Sequence, residues 1–346
     1  MTYTHAATMR AKLLALGFAF DSAVCEEAAQ CTELEQLVAL SCQTGANRLA
    51  RVVLVGDMAQ LPPVVGCSAL RGDGGLDTTL LARLARLRLG SGGSGSGCAT
   101  LTEQVRCRAS IADVWASKYP GLTTVGVGAA VDCGNGGFLR TCQLVEVSDL
   151  QGAGQTALSS TNDGTHGYEN KAEAEFVVAT YMYMRLLGYP SSGIVILTAY
   201  AAQKALIESL AIQRCAHAPR VFGTPVVSTI DAYQSCECDY ALVSLVRTNE
   251  PGYLRDARRL VAGLSRARLG CYVFSRAAML RNCGPDVAPL LTALLKQQPD
   301  ARLQLVVGEA HTTGRAASAA PTDASSVYAV EDVVGMSMVV QQMQGL

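Results

Sequence analysis

The sequence predicts an α/β chain built on mostly parallel sheets, and three observations carry that prediction. Short apolar runs at residues 52–55 and 194–197, joined by a further strand at 241–246, show no polar alternation, as strands covered on both faces do. Longer stretches with helical spacing lie between them. Glycine, carboxylates and hydroxyls gather where the runs stop, and parallel sheets bind ligands beyond the carboxyl ends of their strands.

Of 346 residues, 49% are hydrophobic and 16% charged, so one large or two ordinary domains can bury a sizeable core and global disorder is excluded. The net charge of −1 requires any nucleic-acid contact to be a local groove rather than a global field. The 13 cysteines include no CxxC pair and no zinc spacing; they read as reduced thiols packed in a core, with no signal peptide, in the cytosol or nucleus. No uncharged apolar run approaches the ~18 residues of a membrane span.

In order, residues 1–16 read as a loop and helix and 20–25 as a strand. Residues 31–42 read as an amphipathic helix with Leu34, Leu37, Val38 and Ser41 in the core. A helix at 78–89 carries Arg83, Arg86 and Arg88 on a solvated face. Residues 90–97, GSGGSGSG, are a flexible boundary. Strands follow at 142–147, 194–197, 241–246 and 272–274. The helix at 168–187 packs Phe176, Val177, Tyr181, Met184 and Leu187 inward and stops at Gly188 and Pro190. Beyond Arg281 come a helix, a strand at 303–307, a linker at 311–326 and an apolar helix at 327–343.

Several places suit phosphate chemistry. After the run at 52–55, Gly56 allows a tight turn, Asp57 can orient water near a metal-phosphate group and Gln60 can sense a phosphate or attacking water. Glu26 and Glu27 end the strand at 20–25; paired acids there suit metal-assisted phosphate chemistry, and equally a helix N-terminus. The strand at 194–197 runs into Thr198, Tyr200 and a helix bearing Gln203, which suits a backbone phosphate or an ordinary strand-helix turn.

GDMAQLPP (56–63) resembles motif III of superfamily 1 helicases related to the nonsense-decay helicases, and other segments resemble that family's motifs in the family's order. EEAAQ (26–30) resembles motif II, with Glu26 where most relatives have Asp. LTEQVRCRASI (101–111) resembles the QYR segment, with Val105 for Tyr. TAYAAQ (198–203) resembles TPY-xx-Q, with Ala199 for Pro. STIDAYQSCECD (228–239) resembles motif V, with Ser235 for Gly. RRLVAGLSRAR (258–268) resembles motif VI. Wider matches at 147–155, 183–190, 239–248 and 254–261 resemble the intron-binding spliceosomal branch of the family.

The resemblance implies RecA-like lobes of the P-loop NTPase type: a partial first lobe at 1–90, a linker at 91–97, a complete second lobe at 98–285 and an extension at 286–346. It implies ATP and Mg2+ as cofactors, with Glu26 holding Mg2+, directly or through water, and Glu27 activating water. Gly56, Asp57, Gln60, Arg106, Glu237 and Arg266 are its nucleotide residues, Glu237 on the ribose and Arg266 as the finger arginine braced by Arg259 and Arg268. Thr4, His5, Thr198, Tyr200, Gln203, Thr229 and Gln234 are its RNA residues, with Asp231 and Gln234 tying that contact to the nucleotide. The implied function is ATP-driven movement on pre-mRNA introns with spliceosomal proteins, in the nucleus. No GxxxxGK[ST] loop occurs. Hence the expectation is a C-terminal portion of a longer motor, inactive alone, poorly soluble, with exposed sheet edge. The alternatives are a short protein that has lost ATP binding, a non-catalytic scaffold binding RNA and splicing partners, and a DNA or RNA helicase outside splicing.

Overall fold

The computed structural model describes residues 1–42, 49–90, 97–125, 133–148, 156–158, 167–316, 319, 321 and 324–345. Most of the Gly/Ser tract expected as a linker, and residues 149–155 of one family match, lie outside them. The chain forms two compact units, Met1–Leu101 and Thr102–Leu346.

The first unit holds α1 (Tyr3–Ala15), β1 (Ser22–Cys25), α2 (Glu33–Leu40), β2 (Arg51–Leu54) and α3 (Leu80–Gly90). Thr2 caps α1, accepting from the His5 N–H at 3.1 Å. Thr32 and Glu35 form a reciprocal capping box on α2. β1 and β2 pair in parallel, Ser22 opposite Arg51 through Cys25 opposite Leu54. Two expectations fail here. The run at β2 is not covered on both faces: Val53 is 51% exposed and Val24 on β1 is 74% exposed. Among the described residues this sheet has two strands, too few to cover one another. The apolar face of α2 is also turned outward, with Leu34 and Leu37 exposed; its buried residue is Gln36, whose amide donates to the Ala28 carbonyl at 2.9 Å.

The second unit runs β3 (Glu103–Gln104), α4 (Ala109–Trp115), β4 (Thr123–Thr124), β5 (Cys142–Glu146), β6 (Thr156–Leu158), β7 (Gly167–Glu169), α5 (Lys171–Leu186), β8 (Ile194–Thr198), α6 (Ala201–Cys215), α7 (Pro219–Phe222), β9 (Val226–Thr229), β10 (Cys238–Ser244), α8 (Ala257–Leu264), β11 (Ala267–Ser275), α9 (Ala277–Arg281), α10 (Ala288–Gln297), β12 (Leu303–Val306), β13 (Val327–Val330) and α11 (Val333–Gln344). Its centre is a five-stranded, wholly parallel sheet in the order β5-β11-β10-β8-β9. Ile194, Ile196, Leu242, Tyr272 and Phe274 face one core with α5, α6 and α11. Alternate residues such as Val195, Val243 and Val273 are equally buried, and α4, α8 and α10 pack on the sheet as well. Covered strands read as continuous apolar runs for this reason.

Asn170 caps α5 by accepting from the Glu173 N–H at 3.1 Å, so the helix starts later than residue 168, which lies in β7. Phe176, Val177, Tyr181 and Met184 are buried as expected. The expected terminal helix is corrected: Val327–Val330 is a strand antiparallel to β12, and only Val333–Gln344 is helical. Val333, Met336 and Val340 bury that helix in the core. All 13 cysteines are free and nine are buried, in keeping with their reading as core residues. No helix among the described residues is long and apolar enough to cross a membrane.

Candidate functional site

In the first unit the expected residues collect where β1 and β2 end. The Ala28 N–H donates to the Val55 carbonyl at 2.8 Å and ties the two loops together. Gly56 is required by closeness: a Cβ there would lie 2.8 Å from the Ala29 nitrogen. Asp57 accepts from the Ala59 N–H at 2.9 Å and from the Gln60 amide at 2.8 Å, which orients Gln60. Glu27 is half-buried, accepts from the Gln30 amide and sits at φ 52, a left-handed conformation that non-glycine residues adopt at a cost. Glu26 is exposed. Thr4 and Glu27 border one open recess of about 250 Å3, with Gln30 and Glu35 also on its wall; His5 is exposed on the same helix as Thr4. Two adjacent carboxylates suit Mg2+, which takes one or two and leaves its remaining positions to water and phosphate. Among the described residues no three His, Cys, Asp or Glu converge as a closed metal cage.

In the second unit the expected residues divide between opposite rims of the sheet. At the amino-terminal ends of β10 and β11, Arg106 donates to Glu237 at 3.1 Å and to the Ser265 carbonyl at 3.3 Å. Arg268 joins this patch, 3.4 Å from Asp239 and 4.0 Å from Glu237. Arg266 does not present itself: it is 2% exposed, and its guanidinium donates to the Ala262 carbonyl at 2.8 Å, the Cys236 carbonyl at 3.2 Å and Ser265 Oγ at 3.0 Å. A buried guanidinium must be satisfied by acceptors, and backbone carbonyls do that here.

At the carboxyl-terminal rim, Thr198, Thr229 and Ser244 lie side by side in register. Six residue steps along β10 separate this rim from the other, roughly 20 Å at ~3.3 Å per step. Thr229 Oγ accepts from the Ala232 N–H at 3.2 Å and shapes the turn after β9. Ser235 in that turn, standing where the resembled motif has Gly, has φ 62, a left-handed conformation. Asp231 holds Arg259 at 3.5 Å, so Arg259 serves this rim. Gln234 is half-buried, its amide nitrogen without a hydrogen-bond partner.

Three of the expected RNA residues are buried. Gln203 is fully buried: its amide oxygen accepts from the Asn170 N–H at 2.7 Å, and its nitrogen donates to the Asn170 carbonyl at 3.0 Å and Ser244 Oγ at 3.1 Å. Thr198 is buried too, its hydroxyl without a hydrogen-bond partner, and Tyr200 is 5% exposed. These residues lie beneath the rim because the apolar strand and helix that carry them turn inward.

Sequence reading missed Glu173. It is fully buried, and one carboxylate oxygen accepts from Ser244 Oγ and the Val246 N–H, each at 2.7 Å, while the other has no hydrogen-bond partner. Burial pushes its pKa up to about 8, opposed by the Ser244 and Val246 donors. Asn170 donates to the Val246 carbonyl at 3.1 Å, so side chains on α5 and its cap hold both backbone groups of a β-branched residue at φ 72. The only signal for this was an acidic helix start, which is too common to single out.

Two family models, each described as an AAA domain, match residues 76–278 and 2–67. The chain is 40% identical to RNA helicase aquarius of Mus musculus over 289 residues, 82% of the chain and 19% of that protein. It is 30% identical to pre-mRNA-splicing factor cwf11 of Schizosaccharomyces pombe over 53% of the chain and 14% of that protein. It is 29% identical to the regulator of nonsense transcripts 1 homolog of Arabidopsis thaliana over 76% of the chain and 20% of that protein. The chain thus spans about a fifth or less of these relatives' lengths. With one model matched over more than half the chain and a RecA-like parallel sheet beneath it, the chain belongs to the AAA-domain superfamily 1 helicases related to the nonsense-decay helicases.

Proposed function

We propose that this chain is the part of a spliceosomal RNA helicase that couples ATP hydrolysis to movement on pre-mRNA, in the nucleus and with other splicing proteins as partners. The observation that carries this is the division of one rigid sheet into two polar rims, Arg106–Glu237 at one and Thr229–Asp231–Arg259 at the other. Magnesium-bound ATP supplies the phosphoryl-transfer chemistry when bound. Glu26 would hold the metal, Glu27 would orient and deprotonate water, and Gly56, Asp57 and Gln60 would shape and sense the phosphate end. Arg106 would contribute a planar, always-charged fork, and Glu237 would meet the ribose. Thr4, His5 and Thr229 serve the RNA strand, while Thr198, Tyr200, Gln203 and Gln234 position the rim that holds it. The names of two relatives, an RNA helicase and a pre-mRNA-splicing factor, favour RNA and splicing.

One observation favours a second reading, a non-catalytic RNA-binding scaffold: Arg266, the expected finger arginine, is turned onto backbone carbonyls. RNA-stimulated ATP hydrolysis by the full-length gene product, with and without Glu27→Gln, separates the two. An active wild type, with turnover lost in the variant and nucleotide binding kept, supports the motor. No turnover in either, with RNA still bound, supports the scaffold.

A further inference from the structure

In the first unit, the paired acids Glu26 and Glu27 sit on a short segment anchored from several sides. Glu27 holds φ 52, and a residue with a side chain keeps that left-handed conformation only where its surroundings dictate it. Anchors follow it along the chain. The Gln30 N–H donates to the Glu27 carbonyl at 3.0 Å, the Ala28 N–H to the Val55 carbonyl at 2.8 Å, and the Gln36 amide to the Ala28 carbonyl at 2.9 Å. These come from the turn itself, from the residue after β2 and from α2.

A further anchor precedes Glu27 and comes from α1. The Tyr3 hydroxyl donates to the Glu26 carbonyl at 3.1 Å, and so to the peptide that joins the two acids. That peptide is planar, and φ of Glu27 is the rotation about the bond that leaves it, so fixing the plane fixes the frame from which the Glu27 side chain is aimed. Tyr3 is half-buried and borders the open recess together with Thr4 and Glu27. Its neighbours on α1, Thr4 and His5, are exposed. Farther along α1, Cys42 Sγ donates to the Ala6 carbonyl at 3.3 Å and Arg10 Nε donates to Ser41 Oγ at 3.3 Å. The body of α1 thus rests on the residues that end α2, while Tyr3 fastens its first turn to the acids.

We propose that Tyr3 is a positioning residue: it passes the hold of an RNA strand on Thr4 and His5 to Glu27, through the peptide between the two acids. The inference rests on the proposed RNA-dependent ATP hydrolysis and adds a named link within it. Consecutive residues of one helical turn move as a unit, so a strand engaging Thr4 and His5 also settles where Tyr3 stands. The hydroxyl acts through Glu27 and not on the reacting atoms. A small error in the aim of a group that activates water is costly to the rate, which makes one hydrogen bond at this peptide worth testing.

The test follows ATP turnover by the full-length gene product against ATP concentration, with and without oligo(U) RNA, in wild type and in Tyr3→Phe, which keeps the ring and removes the donor. In the variant, kcat at saturating RNA falls about tenfold, the size of one hydrogen bond placed on an activation barrier. The ratio of that rate to the RNA-free rate falls with it, while KM for ATP and the affinity for oligo(U), read by fluorescence anisotropy, stay within about twofold. Loss of folded protein lowers both rates alike and leaves the ratio as it was, so an unchanged ratio overturns the link alone. A loss accounted for by KM or by RNA affinity also overturns the link alone. If wild type hydrolyses no ATP, or RNA does not speed it, the proposed function falls and the link with it.

Discussion

β2 and β8 look alike in sequence, short β-branched runs without alternation, yet they meet opposite fates. Every residue of β8 is buried between strand neighbours in a five-stranded sheet, whereas β2 pairs with one strand and leaves Val52 and Val53 exposed. The difference teaches that such a run specifies a strand able to be covered, while neighbours decide whether it is. Each unit also carries a carboxylate beside a left-handed residue: Glu27 is itself at φ 52 and half-exposed, whereas Glu173 is fully buried and clamps Val246 at φ 72. An accessible acid suits chemistry; an enclosed one suits holding a shape.

The largest expected effect breaks the buried side. Ile196→Ala costs the second unit about 3 kcal/mol in denaturant unfolding, since a methylene-rich side chain with no exposed surface is lost from a core that cannot fully close. A cost below about 1 kcal/mol would mean that β8 is not packed as described. Next comes pH. The folded-state pKa of Glu173, about 8, is raised above its unfolded value, so the folded form holds its proton more tightly. The stability of the second unit therefore falls as pH rises from the ordinary carboxylate range through about 8, and levels off above that. Glu173→Gln removes this slope in thermal melts taken across that window; an unchanged slope assigns it to another group. Ser235→Gly relieves a left-handed conformation and stabilises by about 1 kcal/mol, read as a rise in the denaturation midpoint at unchanged slope. Smallest is Val53→Ala, within about 0.5 kcal/mol because its side chain already meets solvent. A loss as large as that for Ile196 would show that something covers β2 in solution.

Much of the site was legible because its parts have local causes. Motif order led to Arg106 and Glu237, which the fold brings together from positions 131 residues apart. It also set apart Ser235, where the resembled motif has Gly, and that residue stands at φ 62. Burial was not legible. Gln203 and Arg266 belong to motifs expected to meet ligand, and each is satisfied internally, Gln203 by Asn170 and Arg266 by the Ala262 and Cys236 carbonyls. The strand at Val327–Val330 was read as helix because four apolar residues fit either period.

The sheet's enclosure on both faces has a mechanical consequence. A slab so tightly packed resists bending, so a push on the arginines at one edge is spent on tilting the whole. Over roughly 20 Å, a rotation of roughly 5° sweeps the threonines at the far edge through nearly 2 Å, enough to break one hydrogen bond and make the next. A stiff lever of this kind transmits force without any relay of moving side chains.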